Sequence, residues 1–306
     1  MANLPFITAS DVPPADWVAI ADAIEEGHRG PAPEVSDQFL HRGDDTLLSR
    51  AAWIDGAGVG VKSVTVLPGN PAQGRPSVQG AMLVFDDQTG APRAVIDNAL
   101  ITRWKTAGDS VLGARLLARP DAERLLIIGA GAVADSLIEA YRAVFPNLKT
   151  VMLWNRTIER AEALAGKHAD VIVAADLSDA VAAADIVATC TMSKSPVLKG
   201  DWLAQGAHLD LIGAFTADMR EADDTALTRS SIFVDSRETT MGHIGELMIP
   251  LASGAIAPSD VKGDLTQIIA GQAGRRSDQE ITLFKNGGGA HLDLMTAGVI
   301  LRAAGL

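Results

Sequence analysis

The chain carries a glycine-rich turn that could hold the phosphates of a nucleotide. The turn consists of Gly129, Ala130, Gly131, Ala132, Val133 and Ala134, directly after the apolar run 125–128. Gly129 can take a tight turn, Gly131 has no Cβ to keep a pyrophosphate from the backbone, and Ala134 lets helix and strand pack closely. The free N–H groups of the helix that follows favour an anion. A lone glycine turn can also be a structural corner, but strand, turn and periodic stretch together predict a dinucleotide site at residues 129–133.

The residues after the second predicted strand indicate which dinucleotide is bound. An NAD-preferring site usually has a carboxylate there, which accepts hydrogen bonds from the ribose 2′-hydroxyl. This chain has Asn155, Arg156 and Thr157 instead. Arg156 can stack on adenine and pair with a 2′-phosphate, and its two neighbours can donate hydrogen bonds to it. Alternatively, Thr157 caps the next helix and Arg156 is solvated. The pattern favours NADP(H), with NAD(H) possible.

Strands and helices alternate around the turn, as in a doubly wound parallel sheet. The predicted strands are 125–128, 150–154, 171–174, 186–190, 209–212 and 231–234, and helices are predicted at 159–167 and 177–184. In this topology the carboxyl ends of the strands face the cofactor crevice. Thr191 follows the fourth strand and is therefore a predicted cofactor-binding residue.

The first hundred residues follow a different pattern. A helix is predicted over 10–26, followed by short β-like runs at 46–54, 59–67, 77–86 and 93–96 with turn signals between them. These runs predict an antiparallel sheet or partial barrel. Helical spacing returns at 110–118, and a last helix is predicted after the glycines at 287–289. The fold class is therefore α/β, with a Rossmann domain and a smaller α+β domain.

Composition excludes several classes of partner. The 306 residues include 26 basic and 38 acidic side chains, a formal net charge of -12 that opposes binding to nucleic acid or to an anionic membrane. The single cysteine, Cys190, excludes an internal disulfide framework and a multi-cysteine zinc site, and no metal is predicted. No basic leader is visible and no stretch approaches the roughly 20 apolar residues of a membrane helix, so a cytoplasmic protein is expected.

A series of motifs resembles the ornithine cyclodeaminase and mu-crystallin family. They are Val61-Lys62, 68–71, 89–92, 100–102, Thr106-Ala107, 118–122, 154–157 and 210–214, in that order. The resemblance implies a homodimer whose N-terminal sheets form a barrel, with the last helix returning to the N-terminal domain. It predicts a substrate and dimerisation domain at 1–118 plus about 291–306, and a Rossmann domain at 119–290. It also implies a nicotinamide cofactor, with Thr106 among its contacts, and an α-amino or α-imino acid substrate.

Two positions depart from this family pattern. Lys105 stands where members carry an arginine, so the charge is kept but the bidentate fork is lost. Phe215 stands where cyclodeaminases look to carry an aspartate, and phenylalanine cannot transfer a proton. Cyclisation of ornithine with loss of ammonia is therefore disfavoured, and hydride transfer to an imine carbon remains.

Imine reduction needs an anchored α-carboxylate and a proton donor. We predict that Arg50, Lys62 and Lys105 bind the carboxylate, and that Lys62 supplies or relays the proton. For Arg50, a surface salt bridge with Asp44 or Asp45 is an equal alternative. The predicted function is an NAD(P)H-dependent reductase of α-imino acids, such as Δ1-pyrroline-2-carboxylate or iminosuccinate. The alternatives are an ornithine-type cyclodeaminase and a non-catalytic protein of the mu-crystallin kind that binds NADPH or a small ligand.

Overall fold

The structure is a computed structural model and describes residues 4–306, which form two compact units. The first contains the described residues up to Lys105 together with Gly289–Leu306, and the second is Thr106–Gly288. The division after Lys105 lies inside a helix, whereas the sequence places the domain limit at residue 118. The predicted domain limits stay a prediction.

The first unit is built on a six-stranded sheet. Its elements are β1 (Phe6–Ile7), α1 (Trp17–Arg29), β2 (Glu34–Arg42), β3 (Asp45–Ile54), β4 (Gly58–Val66), β5 (Val78–Phe85), β6 (Pro92–Asp97) and the start of α2 (Asn98–Leu117). The strand order is β1-β6-β5-β4-β3-β2, and all pairs are antiparallel except β1 with β6. Four of the strands correspond to the predicted β-like runs, whereas β1 and β2 were missed.

Helix boundaries in the first unit differ from the prediction. Helix α1 begins at Trp17 rather than near Ser10, because Asp16 is its cap and accepts from the backbone N of Ala19 at 3.0 Å. The earlier Asp11 closes a turn by accepting from the Thr8 backbone N at 2.8 Å. Helix α2 begins at Asn98, a full twelve residues before its predicted start at 110. At the start of α2, Asp97 accepts from the backbone N of Ala99 at 3.0 Å, so a side-chain carboxylate marks the start of each helix.

The second unit is an eight-stranded, wholly parallel sheet with helices. Its elements are β7 (Arg124–Ile128), α3 (Ala132–Val144), β8 (Thr150–Trp154), α4 (Ile158–Ala165), β9 (Val171–Val173), α5 (Leu177–Ala183), β10 (Ile186–Thr189), β11 (His208–Leu211), α6 (Asp224–Thr228), β12 (Ser231–Val234), α7 (Arg237–Thr240), α8 (Gly245–Ser253), β13 (Val261–Asp264), α9 (Leu265–Ile269) and β14 (Thr282–Lys285). The last helix, α10 (Ala290–Ala303), belongs to the first unit.

The order of the parallel strands places a crevice above β7 and β10. The order is β13-β12-β14-β11-β10-β7-β8-β9, so the chain proceeds in one direction from β7 to β9 and in the other from β10. Ligands of such sheets bind at the carboxyl ends of the strands where the direction changes. The predicted α/β class with a Rossmann sheet is confirmed. Strands β13 and β14 were missed, and β14 inserts between β11 and β12.

Burial explains why this sheet forms. The residues Leu125–Ile128 of β7 are completely buried, and α3 packs its Leu137, Ile138 and Tyr141 inwards. A strand buried on both faces is apolar throughout, which is the pattern that the sequence has before the glycine turn. Across residues 4–306, no helix combines the length and the apolar character that crossing a membrane requires.

Candidate functional site

The glycine turn has the geometry of a phosphate cradle. Gly129 has φ +124°, and a Cβ there would lie 2.9 Å from the carbonyl oxygen of Cys190, so only glycine fits between the ends of β7 and β10. A Cβ on Gly131 would meet no atom within 4 Å, and no side chain caps α3, whose N-cap is Gly131. Gly131 and Ala132 are exposed, with Val133 half-buried. The open backbone and the uncapped helix start fit an anion such as a pyrophosphate.

The segment after β8 lies beside this cradle. The Gly129 backbone N donates to the Trp154 carbonyl oxygen at 2.8 Å, which joins the ends of β7 and β8. Asn155 Nδ2 donates to the Thr157 carbonyl oxygen at 2.8 Å, so this amide stabilises the turn. Thr157 is the N-cap of α4, but its side chain makes no capping hydrogen bond. Arg156 is exposed, and within residues 4–306 its guanidinium has neither a hydrogen bond nor an ion pair.

A buried glutamate organises the ends of β10 and β11. Glu221 Oε1 accepts from the Thr191 backbone N at 2.6 Å and from Thr191 Oγ1 at 2.8 Å. Glu221 Oε2 accepts from the Gly213 backbone N at 2.6 Å. The carboxylate therefore fixes Thr191, a predicted cofactor-binding residue, against the end of the neighbouring strand.

A second layer of buried charges lies behind Glu221. Glu246 accepts from the backbone N of Glu221 at 2.7 Å and of Ala222 at 3.0 Å, and burial raises its pKa to about 7. Lys285 Nζ donates to the carbonyl oxygens of Leu211, Ala214 and Asn286 at 2.8 to 3.0 Å. Burial lowers the pKa of Lys285, while the surrounding carboxylates act in the opposite direction. These contacts hold the loops that follow β11 and β14.

Thr106 and Asn286 are also linked. Asn286 Nδ2 donates to the Thr106 carbonyl oxygen and to Ser110 Oγ, each at 3.1 Å. Asp235, at the end of β12, accepts from the Gly287 backbone N at 2.8 Å and from that of Gly288. The glycine segment before α10 is thus fixed by a carboxylate.

Two of the three predicted substrate-binding cations, Arg50 and Lys62, share one face of the sheet in the first unit. Asp37 on β2, Arg50 on β3 and Lys62 on β4 are register partners in successive antiparallel pairs. Side chains of such partners project from the same face of a sheet. Arg50 Nε donates to Asp37 Oδ1 at 3.3 Å, and its Nη2 donates to Oδ2. The salt bridge considered for Arg50 therefore exists, but with Asp37 instead of Asp44 or Asp45.

Lys62 has a counter-ion that the sequence analysis missed. Its Nζ donates to Asp293 Oδ1 at 2.7 Å and lies 2.6 Å from Oδ2. Asp293 is on α10 and is fully buried, and Lys62 is only 7% exposed. Burial lowers the pKa of Lys62, Asp293 opposes this, and the charges of Lys105 and Arg50 lower the pKa further.

Lys105 lies near this pair. The side chain is buried, and its charge acts on Lys62 and on His291. Within residues 4–306, Lys105 Nζ makes neither a hydrogen bond nor an ion pair. Burial, and then His28, lowers the pKa of His291 to about 3, so its ring is neutral.

The structure thus brings Arg50, Lys62 and Lys105 together in the first unit, and Gly129–Val133, Asn155–Thr157 and Thr191 along the strand ends of the second. Among residues 4–306, no group of three or more His, Cys, Asp and Glu side chains could hold a metal ion. The missed residues are Asp293, Glu221, Glu246 and Lys285. Asp293 had a usable signal, because it stands between the apolar residues Leu292 and Leu294 of a buried helix and a buried charge needs a partner.

The parallel sheet, its crevice and the uncapped helix start define a Rossmann-type dinucleotide-binding protein. A model of the ornithine cyclodeaminase/mu-crystallin family matches residues 28–304. The chain belongs to this family, as its motifs predicted.

Relatives and solved structures agree with that assignment. A Δ1-pyrroline-2-carboxylate reductase of Paracoccus denitrificans is 54% identical over 94% of this chain and 92% of that protein. The Δ1-pyrroline-2-carboxylate reductase of Thermococcus litoralis, solved with NADH and L-proline, has a TM-score of 0.92 at 27% identity, covering 98% of this chain and 97% of that one. An archaeal alanine dehydrogenase dimer with bound NAD has a TM-score of 0.90 at 29% identity, covering 98% and 96%.

Proposed function

We propose that this protein is an NAD(P)H-dependent reductase of α-imino acids, which converts ketimines of the Δ1-pyrroline-2-carboxylate class to L-amino acids. The enzyme class, an NAD(P)-dependent oxidoreductase acting on C=N bonds, follows from the family and its relatives. The substrate is part of the proposal. It is supported by the 54% identical relative, which is named for reduction of this imino acid.

The observation that carries the proposal is an unmatched buried charge. Arg50 pairs with Asp37 and Lys62 with Asp293, whereas Lys105 has no anionic partner among residues 4–306. An ammonium group removed from water is unstable without an anion beside it. The α-carboxylate of an imino acid would supply this anion. We therefore assign Lys105 as the main carboxylate anchor, assisted by Arg50.

The remaining requirement is a proton and a hydride for the C=N bond. A reduced nicotinamide would supply the hydride to the imine carbon when it is bound. Lys62 would hold the proton for the imine nitrogen, since it is buried beside two other cations but kept near a carboxylate. The residues Gly129–Val133, Thr191 and Thr106 would position the dinucleotide.

Phe215 disfavours cyclodeaminase activity. It follows Gly213 and Ala214 and is 50% exposed, with no proton to give or take. The nearest downstream carboxylate, Asp218, pairs with Lys194 at 2.7 Å and accepts from Thr216 Oγ1 at 2.6 Å. Asp218 is thus occupied by surface contacts and does not replace the missing acid.

The proposal is tested by following nicotinamide absorbance with purified protein and a panel of imino acids. We expect oxidation of NADPH or NADH with Δ1-pyrroline-2-carboxylate, and slower or no oxidation with iminosuccinate. Ammonia release from ornithine without net cofactor oxidation would instead establish a cyclodeaminase. Cofactor binding without turnover of any substrate would establish a binding protein.

Variants of Lys105 test its role as the anchor. Lys105→Met should lower kcat/KM at least 30-fold, mainly through KM, because a charged contact contributes about 2 kcal/mol. Lys105→Arg keeps the charge and should retain most of the activity. Lys149→Met, on an exposed side chain paired with Glu123, is the matched control. Wild-type KM in Lys105→Met would refute the assignment.

We propose NADP(H) as the favoured cofactor, with NAD(H) also accepted. The support is the absence of a carboxylate at Asn155-Arg156-Thr157 and the exposed guanidinium of Arg156, which forms no ion pair with any of residues 4–306. Arg156→Ala should reduce kcat/KM for NADPH at least tenfold and leave the value for NADH nearly unchanged. A clear preference of the wild type for NADH, unaltered in the variant, would contradict this. A homodimer and a cytoplasmic location stay predictions.

A further inference from the structure

The buried pair of Lys62 and Asp293 joins two distant parts of the sequence in the first unit. Lys62 lies in the middle of β4, and Asp293 lies in the first turn of α10. Both carboxylate oxygens are within 2.7 Å of Nζ, and Asp293 is fully buried. Among residues 4–306, no other cation forms an ion pair with Asp293. The carboxylate therefore acts on one ammonium group.

We propose that Asp293 is a positioning residue that keeps Lys62 in its ammonium form, oriented for proton delivery to the imine nitrogen. This inference rests on the proposed function. Asp293 is not assigned a direct contact with substrate. It acts through Lys62, by fixing the direction of Nζ and by favouring its charged state.

The surroundings explain why Lys62 needs such a partner. Arg50 from β3 and Lys105 from α2 face Lys62 with like charges, and Asp37 on β2 is engaged by Arg50. On α10 the nearest titratable neighbour is His291, which is buried and neutral, and its ring packs against His28 of α1. Burial and two cations all favour loss of the proton from Lys62. Asp293 is the group that opposes them.

A purely structural role explains the pair less well. Burying two charges costs about as much as their attraction returns, so a buried ion pair is weak evidence of stabilisation. Helix α10 already packs on the sheet through apolar contacts, because Leu294 fills the space beside Gly60, where a Cβ would lie 3.2 Å from Leu294 Cδ1. The pair is thus not needed to attach the helix.

The proposed step is balanced. A bound reduced nicotinamide would supply a hydride, with its two electrons, to the imine carbon, and Lys62 would transfer a proton of its ammonium group to the imine nitrogen. The C=N double bond would become a CH–NH single bond, and Lys62, having given up its proton, would be left as a neutral amine. A proton from solvent then restores the ammonium form, which Asp293 favours.

The test compares the pH dependence of kcat/KM in wild type, Asp293→Asn and Asp293→Glu. Activity that needs the Lys62 ammonium group falls as the pH rises through the pKa of Lys62. Removing the carboxylate charge should move this fall of kcat/KM at high pH, the alkaline limb of the profile, to lower pH by roughly one to three units. Asp293→Glu keeps the charge and should keep the limb at its wild-type position, even if the rate is lower.

Thr296→Val is the matched control for packing, because Thr296 is buried on the same helix and the change removes a polar atom without changing charge. Its profile should match that of the wild type. A limb that does not move in Asp293→Asn, whether the rate is unchanged or uniformly reduced, would overturn the proposal. So would a limb that moves equally in Asp293→Glu.

A second measurement does not depend on turnover. In protein labelled with ¹⁵N at lysine Nζ, the Lys62 ammonium signal is identified by its absence in Lys62→Met. Its titration midpoint should be lower in Asp293→Asn than in wild type. If wild type reduces no imine but this midpoint shifts, the proposed function fails while the electrostatic role of Asp293 stands. If the midpoint does not shift, that role is refuted.

Discussion

Glu221 shows how a single residue fixes the strand ends of the second unit where we propose that the cofactor binds. Its two carboxylate oxygens accept three hydrogen bonds, from the backbone and hydroxyl of Thr191 and the backbone of Gly213. Glutamine would present an amide N–H to at least one of these donors. A buried donor left without its acceptor costs free energy, and hydrogen bonds to charged groups contribute about 1.5 to 3 kcal/mol.

We expect Glu221→Gln to lower the free energy of unfolding by about 2 kcal/mol and to weaken NADH binding several-fold, because Thr191 loses its orientation. Urea denaturation and calorimetric titration with NADH measure the two effects. Glu246→Gln is the comparison variant, since Glu246 accepts from the backbone N of Glu221 and of Ala222, not from Thr191, and burial already raises its pKa to about 7. It should leave NADH affinity unchanged. Equal NADH affinities in both variants would contradict the role given to Glu221.

At the scale of elements, two helices contain an interior glycine in opposite surroundings. On α2, a Cβ at Gly113 would lie 2.5 Å from Cδ1 of Phe284 on β14, so the glycine permits close helix-to-strand packing. On α10, a Cβ at Gly298 would lie 3.6 Å from its nearest neighbour, Arg302 Nη1, which is an ordinary contact. Alanine is favoured over glycine by about 1 kcal/mol within a helix when space allows.

We therefore expect opposite effects of the same substitution. Gly113→Ala should lower the free energy of unfolding by about 1 to 3 kcal/mol, because overpacking the Phe284 contact outweighs the gain in helix propensity. Gly298→Ala should be neutral or stabilising by up to about 1 kcal/mol. Chemical denaturation of both variants tests this. If Gly113→Ala were as stable as Gly298→Ala, the contact with Phe284 would not limit the packing of α2.

For the whole molecule, the pH dependence of stability depends on opposing buried groups of the second unit. Burial and Arg275 lower the pKa of His208 to about 3, and burial raises the pKa of Asp210 to about 7. His208 Nδ1 donates to Thr282 Oγ1 at 2.9 Å, since that hydroxyl itself donates to the Leu117 carbonyl oxygen. Asp210 Oδ2 accepts from the Tyr141 hydroxyl at 2.9 Å.

His208 and Asp210 change the stability of the fold in opposite directions as the pH changes. His208 is neutral in the folded state down to about pH 3. Its contribution to stability is therefore present above pH 6.5 and is lost as the pH falls toward 3. Asp210 is protonated in the folded state, so its contribution is present below pH 3.8 and is lost as the pH rises through about 7. Between about pH 4.5 and 6 the two pH dependences cancel, because on folding His208 releases one proton and Asp210 takes up one.

When one of the two groups is removed, the free energy of unfolding should change with pH as the other group alone dictates. Relative to wild type, His208→Asn should gain about 1.4 kcal/mol of stability per pH unit as the pH falls from 6 to 4.5, and Asp210→Asn should lose about as much. Asparagine can retain one hydrogen bond in each place. Urea denaturation at several pH values measures the differences. Parallel pH profiles for both variants and the wild type would contradict the assigned protonation states.

The strands and helices that have a clear pattern of apolar residues along the chain could be predicted from the sequence. The apolar run before Gly129 and the helical period after it specify a buried strand and its helix, and the sheet confirms them. The edge strand β2 was missed because all nine of its residues are exposed, so its sequence lacks a buried face. Strand β14 was missed because it has four residues and ends in Lys285, which reads as a surface position until its three carbonyl partners are known.

By itself, the sequence determined the family, the Rossmann fold and the types of residue available for chemistry, because strands, turns and motifs depend on neighbours along the chain. Only the tertiary structure decided which charges are paired. Asp293 meets Lys62 across 231 positions, whereas Asp44 and Asp45, only a few residues from Arg50, do not pair with it. Burial makes such pairing necessary, and burial arises only when distant elements pack together.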